Sequence, residues 1–497
     1  MTVLRIRRPT AEGLEKAVTM RTATADCPPL AAAERERGAL LAGHSAPEAP
    51  TATAAVEENS EKSSAATLRS NFWWMLSGNA VYALCQWGLL AILARLGTPA
   101  IVGQYVLAVA VTTPITVLFM LHLRAVQATD TRRDYEFGHY LALRLCAMAV
   151  ALVVVVGICL ASGYPGDTFL VIAAVAVSAV CDSLSDIVYG LLQQRERLDR
   201  IGQSMMLRGI SSVILLSAMI ASTGRVFYAI LAVACGRLIV LALFDLRNAR
   251  RELGRSAIRP GKALLISVKP RWEPRRIFRL ARIALPLGLV MMLIVLSTNI
   301  PRYFVGSYLD QSALGIFGAI GYLSVAGTMA VGALGDSVTP RLARDYASGR
   351  RRDFGLYVLR LAGLGVGLGV AGVLVALVAG RPLLGLLYGP AYAERTDILI
   401  LTMVAAGIGY VASFSGYAVT AARYFRAQLP LFAAVALVTA IGCWWLVPMW
   451  GLRGAAIALA LSALTQLVGS ALILFYALRA ISGQESPELA DGLPRCA

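Results

Sequence analysis

From residue 72 onward the chain alternates long apolar runs with short polar turns, and that alternation predicts its architecture. Each run is about 20 residues long, enough to cross a ~30 Å hydrocarbon layer as a helix. Twelve such spans are predicted, over 72–95, 99–121, 137–161, 168–192, 202–222, 226–247, 281–304, 313–337, 354–379, 397–422, 428–449 and 452–478. The first two are joined by the tight turn Leu96-Gly97-Thr98-Pro99. They carry residues of little use against lipid: Asn79 and Gln86 in the first, Thr112, Thr113 and Pro114 in the second. Polar groups are costly in hydrocarbon, so this stripe is expected to face a bundle interior or a wet cavity. The predicted fold class is an all-α polytopic membrane protein, its helices enclosing a central cavity.

The pattern also repeats. Arg133-Asp134-Tyr135-Glu136-Phe137-Gly138-His139-Tyr140 opens span three, and Arg352-Asp353-Phe354-Gly355-Leu356-Tyr357 opens span nine. Each is followed by an arginine inside the span, Arg144 and Arg360. A fainter echo sets Gly103-Gln104-Tyr105 beside Gly315-Ile316-Phe317. Six spans separate the copies, an even number, so two six-helix lobes related by a parallel pseudo-two-fold are expected. The domains are then an unstructured cytoplasmic arm (1–68), an N-lobe (69–248), a basic cytoplasmic linker (249–279), a C-lobe (280–480) and a cytoplasmic tail (481–497). Within the linker, Ala263 to Val268 and Trp272, flanked by basic residues, read either as an amphipathic helix on the membrane surface or as a solvated linker.

Composition sharpens this picture. With 58% hydrophobic and only 15% charged residues the chain is too apolar for a soluble globule. The formal net charge is +17 over 497 residues, yet residues 1–66 hold eight basic and nine acidic side chains and nearly cancel. The excess lies in alternate loops: Arg124, Arg132 and Arg133; Arg195, Arg197 and Arg200; the run from Arg247 to Arg279; and Arg341, Arg344 and Arg350 to Arg352. That asymmetry places both termini and these loops in the cytoplasm. Anionic lipid explains the arginines without nucleic acid, for which no motif is present. The arm lacks an apolar run long enough for a signal peptide, so the first span directs insertion. Six of the eight cysteines lie within apolar runs, with no C-x-x-C or zinc spacing, and neither disulfides nor a metal are indicated.

Charged side chains inside the spans are the candidates for chemistry. Arg144 and Arg208 lie about two turns into spans three and five, Asp186 and Asp182 at similar depth in span four, and Arg237 near the middle of span six. Two readings stand side by side. In one, Asp182 and Asp186 neutralise the arginines as buried pairs. In the other, arginines in excess form an electropositive pocket, since a guanidinium fork suits phosphate. Asp182 and Asp186 are alternatively sites for a coupling cation, H⁺ or Na⁺. Arg124 stands at the basic end of span two. Arg302, in Asn299-Ile300-Pro301-Arg302-Tyr303-Phe304, stands at the far end of span seven, against the inside bias, where Asn299 and Pro301 suggest local unwinding. Tyr388-Gly389-Pro390-Ala391-Tyr392 reads as a turn in an outer gate. Three histidines, His44, His122 and His139, fit no nucleophile or metal spacing, no Walker A sequence is present, and no cofactor is expected.

With these residues in view, the chain resembles the polysaccharide transporter branch of the multidrug/oligosaccharidyl-lipid/polysaccharide flippase superfamily. The resemblance covers about residues 70 to 480 and rests on Asn71 through Trp74, Ala94-Arg95-Leu96-Gly97, Leu123-Arg124-Ala125-Val126-Gln127-Ala128-Thr129-Asp130, Leu285-Pro286-Leu287-Gly288 and Pro301-Arg302-Tyr303. It implies two lobes around a V-shaped cationic cavity, alternating access in a bacterial inner membrane, and a polyprenyl-pyrophosphate-linked oligosaccharide as substrate. It further implies that Arg144, Arg208, Arg237, Arg302 and Arg124 are candidates to bind the pyrophosphate. Membrane lipids and polysaccharide polymerase or export machinery are the expected partners. A cation-coupled drug or solute exporter on the same fold is the alternative, favouring a carboxylate-rich cavity. An enzyme such as a membrane polymerase needs a larger outer domain than these short loops supply. On the pocket reading, Arg144→Ala and Arg208→Ala abolish transport at normal protein levels; loss of folded protein points to ion pairs instead.

Overall fold

A computed structural model describes residues 52–130, 134–255 and 269–484. The chain divides into two units, residues 1–66 and 67–497. In the first, the described residues 52–66 are helical, a stretch rich in the strong helix formers alanine and glutamate. The tail from 485, Arg132, Arg133 and the Ala263–Val268 segment lie outside the described residues, and so does the amphipathic-helix reading of the linker.

The elements are α1 (Ala52–Leu96), α2 (Pro99–Met120), α3 (Leu123–Thr129), α4 (Phe137–Ala161), α5 (Gly166–Gln194), α6 (Leu198–Thr223) and α7 (Val226–Val240). A single π-helical turn (Leu241–Asp245) leads into α8 (Leu246–Arg255). After the linker come α9 (Pro274–Tyr308), α10 (Gln311–Tyr322), α11 (Val325–Ala347), α12 (Arg351–Leu387), α13 (Pro390–Ala393), α14 (Thr396–Ala421), α15 (Phe425–Trp450) and α16 (Leu452–Gln484). No strand occurs among the described residues, and twelve spans are long and apolar enough to cross a membrane, as expected. Several helices outrun their apolar stretch. The ninth span extends over Arg351–Leu387, against 354–379 from hydrophobicity, because the helical hydrogen-bond ladder continues past the apolar boundary.

Two spans are interrupted, the second at the predicted end of its apolar run and the eighth where hydrophobicity runs on. The second bends at Leu121 and His122, both left-handed (φ 52° and 50°), before α3. The eighth breaks between α10 and α11. Conversely, the unwinding expected at Asn299–Pro301 does not occur: α9 runs unbroken through Pro286 and Pro301. The Asn299 amide donates to the carbonyl of Val295 at 2.8 Å, within the same helix.

The second helix holds the centre. It packs against α4 and α5 on one side and α9 and α10 on the other. At its crossing with α10 the backbones meet: a Cβ on Gly103 would strike the main chain of Gln311, and one on Gly315 the main chain of Pro99. Pro114 leaves the carbonyl of Ala110 without its helical donor, and the Tyr303 hydroxyl of α9 takes that place. On the end away from the basic loops the two halves are tied together. Trp87 Nε1 donates to the Tyr388 hydroxyl at 3.1 Å. The Arg95 guanidinium caps the carbonyls of Gly385 (3.0 Å), Leu386 and Leu387 (3.4 Å) at the end of α12. At the basic end the linker rests on the start of α4: Arg271 N donates to Gly138 O at 2.9 Å, and its guanidinium to Glu136 at 2.6 Å.

The repeated motifs share a sequence but not surroundings. Gly138 lies under Lys269 and Arg271, whereas a Cβ on Gly355 meets nothing within 4 Å. Arg144 is fully buried, while Arg360 is exposed and lies over the Tyr357 ring, 5.7 Å from its centroid.

Candidate functional site

Five arginines and two aspartates are the predicted site residues, and the structure sorts them into three groups. The first lies toward the basic end. Arg144, 0% exposed, donates to Asp186 at 3.0 Å and to Ser183 Oγ at 3.1 Å. Arg124 lies 3.7 Å from the other oxygen of Asp186, donates to Gln193 Oε1 at 3.1 Å and covers the Tyr189 ring. Asp186 therefore sits between two cations, and a free coupling carboxylate is not what its geometry provides.

The second group centres on Asp182, one turn away on α5. It pairs with both Arg208 and Arg237. Arg208, 4% exposed, also donates to the Tyr189 hydroxyl at 3.2 Å. Arg237 reaches Gln86 Oε1 at 3.4 Å with its other nitrogen. Behind Arg208 lies a network that the sequence reading missed. Tyr189 shares a 2.7 Å hydrogen bond with Ser204, and Asp245, 0% exposed, accepts from Ser204 at 2.6 Å and Ser185 at 2.7 Å. Asp245 closes the π-helical turn, which swings this acid inward. The signal was present, an aspartate in the apolar run Leu241-Ala242-Leu243-Phe244-Asp245, but its place next to Arg247 reads as the edge of a loop.

The third group is Arg302 alone. Its guanidinium donates to Asn299 Oδ1 at 2.7 Å, and no carboxylate among the described residues pairs with it. Its electrostatic neighbours are the hydroxyls of Tyr105, Tyr303 and Tyr322. Tyr105 and Tyr322 line the same cavity as Arg237 and Arg302.

A cavity of about 300 Å³ joins the second and third groups. Its walls include Arg302, Arg237, Asp182, Gln86, Tyr105 and Tyr322, so both halves of the molecule contribute. Along α2 it extends from Tyr105 to Met120, about 22 Å at 1.5 Å per residue, past Thr112, Thr113 and Thr116. The polar stripe read from the second span thus faces a cavity. Arg124, Arg144, Arg208 and Asp186 do not line it, so the structure separates them from Arg237 and Arg302. Three buried polar atoms of lining residues have no hydrogen-bond partner among the described residues: Ser178 Oγ, Arg237 Nε and Asp182 Oδ1, the last in an ion pair with Arg208. Within the cavity two guanidiniums, Arg237 and Arg302, face one carboxylate, Asp182, while Arg208 lies behind Asp182 next to the Asp245 network. A cavity with that balance suits an anion. No group of three metal-ligating side chains occurs among the described residues.

Comparison with known proteins agrees with this architecture. Residues 68–345 match the family described as polysaccharide biosynthesis protein. A capsular polysaccharide biosynthesis protein of Staphylococcus aureus, CapF, is 26% identical over 400 residues, covering 80% of this chain and 97% of that one. Among solved structures, the lipid II flippase MurJ in an inward closed conformation aligns with TM-score 0.64 at 11% identity, over 83% of this chain and 90% of its own. The Vibrio cholerae MATE transporter VcmN aligns with TM-score 0.57 at 16% identity, over 86% and 98%. Both likenesses are of fold.

Proposed function

We propose that this chain, which belongs to the polysaccharide biosynthesis protein family, translocates polyprenyl-diphosphate-linked oligosaccharide repeat units across a bacterial inner membrane. The observation that carries the reading is Arg302: a guanidinium in a cavity with no carboxylate partner among the described residues, facing the same space as Arg237. An unpaired cation in a low-dielectric site is costly unless an anion completes it. The diphosphate would supply that anion and take the two-point geometry that arginine offers.

The basic loops lie in the cytoplasm on this reading, as do both termini. The tied ends, Trp87 to Tyr388 and Arg95 to α12, then close the outer face, and the cavity extends along α2 toward the cytoplasm. The diphosphate enters from that side and the polyprenyl tail stays in lipid. Rocking of the halves about α2 carries the sugar across. The fold neighbours MurJ and VcmN are a flippase and a transporter, and on this reading the chain acts in the same way rather than as an enzyme. Polymerase or export machinery would receive the product.

The reading is tested by deleting the gene and following undecaprenyl-linked repeat units. They should accumulate on the inner leaflet, and Arg302→Ala should fail to relieve the accumulation although the protein reaches the membrane. Changed sensitivity to toxic cations, with no accumulation of lipid-linked sugar, would point to the drug exporter instead.

A further inference from the structure

We propose that Asp182 is an internal competitor for the substrate's diphosphate, and that this competition sets which anionic lipids the cavity accepts. The proposal rests on the reading that the cavity takes a lipid diphosphate.

Asp182 is the one acidic side chain among the described residues lining the cavity. It is 30% exposed and holds two guanidiniums that differ in their surroundings. Arg208 is turned away, anchored to Tyr189 in the serine–Asp245 network, and does not line the cavity. Arg237 lines it, and among the described residues Gln86 at 3.4 Å is its only other partner and its Nε is unsatisfied. Arg237 is therefore the cation that can change partners. When it leaves Asp182, the carboxylate still keeps Arg208, so no bare charge is stranded in the bundle.

Carboxylate and phosphate oxygens compete for the same fork of guanidinium donors. In the resting cavity Asp182 satisfies Arg237, leaving Arg302 to attract the incoming anion. A headgroup with a single negative charge can engage Arg302, but it has no second charge with which to displace Asp182. A diphosphate has one phosphate for Arg302 and another for Arg237. Asp182 thus discriminates against the abundant monoanionic phospholipids, and its return to Arg237 expels the diphosphate after translocation. Tighter binding without this return would trap the substrate.

The experiment uses the full-length protein in lipid nanodiscs with farnesyl diphosphate as the probe and phosphatidylglycerol as competitor. Asp182→Asn is expected to bind the probe roughly tenfold tighter, the worth of one charge-assisted interaction no longer contested. It should also become more sensitive to phosphatidylglycerol, which is expected to compete only weakly in the unaltered protein. Transport of lipid-linked sugar should fall in the same variant, because release slows. If Asp182→Asn folds poorly, the charge-balanced pair Asp182→Asn with Arg208→Gln removes the carboxylate together with the cation behind it, and the same tightening is expected. Binding that is lost in Arg302→Gln but unchanged or weaker in both Asp182 variants overturns the competitor role and leaves the flippase reading intact. No binding of the probe by the unaltered protein overturns both.

Discussion

Two carboxylates on α5, Asp182 and Asp186, hold four of the five candidate guanidiniums, and removing a member of each set should have different consequences. Asp186→Asn leaves the fully buried Arg144 with neutral partners only, and stranding a buried charge costs about 3–5 kcal/mol. Asp186→Asn and Arg144→Ala should therefore lower the melting temperature and the amount of protein in the membrane, rather than give a stable but inactive transporter. Arg302→Ala strands no carboxylate, so its melting temperature should stay close to that of the unaltered chain while transport is lost. Detergent-extracted thermal melts alongside transport measurements separate the two classes. The sequence revealed which charges lie in the membrane, because each interrupts an apolar run. It did not reveal that Arg302 rather than Arg144 is the unpaired one. That depends on the rotation of each helix about its axis, which a hydrophobic pattern with little amphipathic contrast does not encode.

At the scale of the element, the kink in α2 and the π-helical turn before α8 shape the site. Pro114 frees the Ala110 carbonyl, and Tyr303 satisfies it from across the lobe boundary. Tyr303→Phe leaves that buried acceptor empty and should cost about 1–3 kcal/mol. In a Pro114→Ala background residue 114 regains its own N–H donor, so the same change should cost distinctly less. A double-mutant cycle on thermal or chemical unfolding measures the coupling, and additivity of the two changes would contradict it. Twelve spans were legible because each run matches the thickness of the hydrocarbon layer. The break between α10 and α11 was not, since both pieces are apolar and no proline or charge marks Leu323 and Ser324. Asn299 and Pro301 misled in the other direction: an asparagine that bonds back to Val295 lets the helix continue.

Across the whole molecule, the end opposite the basic loops is closed and the cavity extends toward the basic end. Arg95→Ala should loosen that closure. In a background with the native cysteines replaced, a Thr113→Cys reporter on the cavity wall should then react several-fold faster with a membrane-impermeant thiol reagent applied from the closed side. Unchanged labelling would show that Trp87, Tyr388 and the α2–α10 contact suffice without Arg95. The internal repeat was visible in Phe-Gly-x-Tyr at residues 137–140 and 354–357, and it marked the two-lobed fold. It did not indicate equivalent roles: Gly138 seats the linker and Arg144 is locked to Asp186, whereas the region of Gly355 is open and Arg360 is exposed.

The clasp formed by Arg95 has an unequal tolerance to mutation. Its acceptors are the peptide oxygens of residues 385–387, and every amino acid carries one. Replacing the side chains there leaves the receiving half chemically intact as long as α12 keeps its last turn. The donating half has no such redundancy, because only a long planar cation can reach three oxygens at once. A saturation screen should find those three positions permissive and Arg95 strict, so that one partner in this contact carries nearly all of its genetic vulnerability.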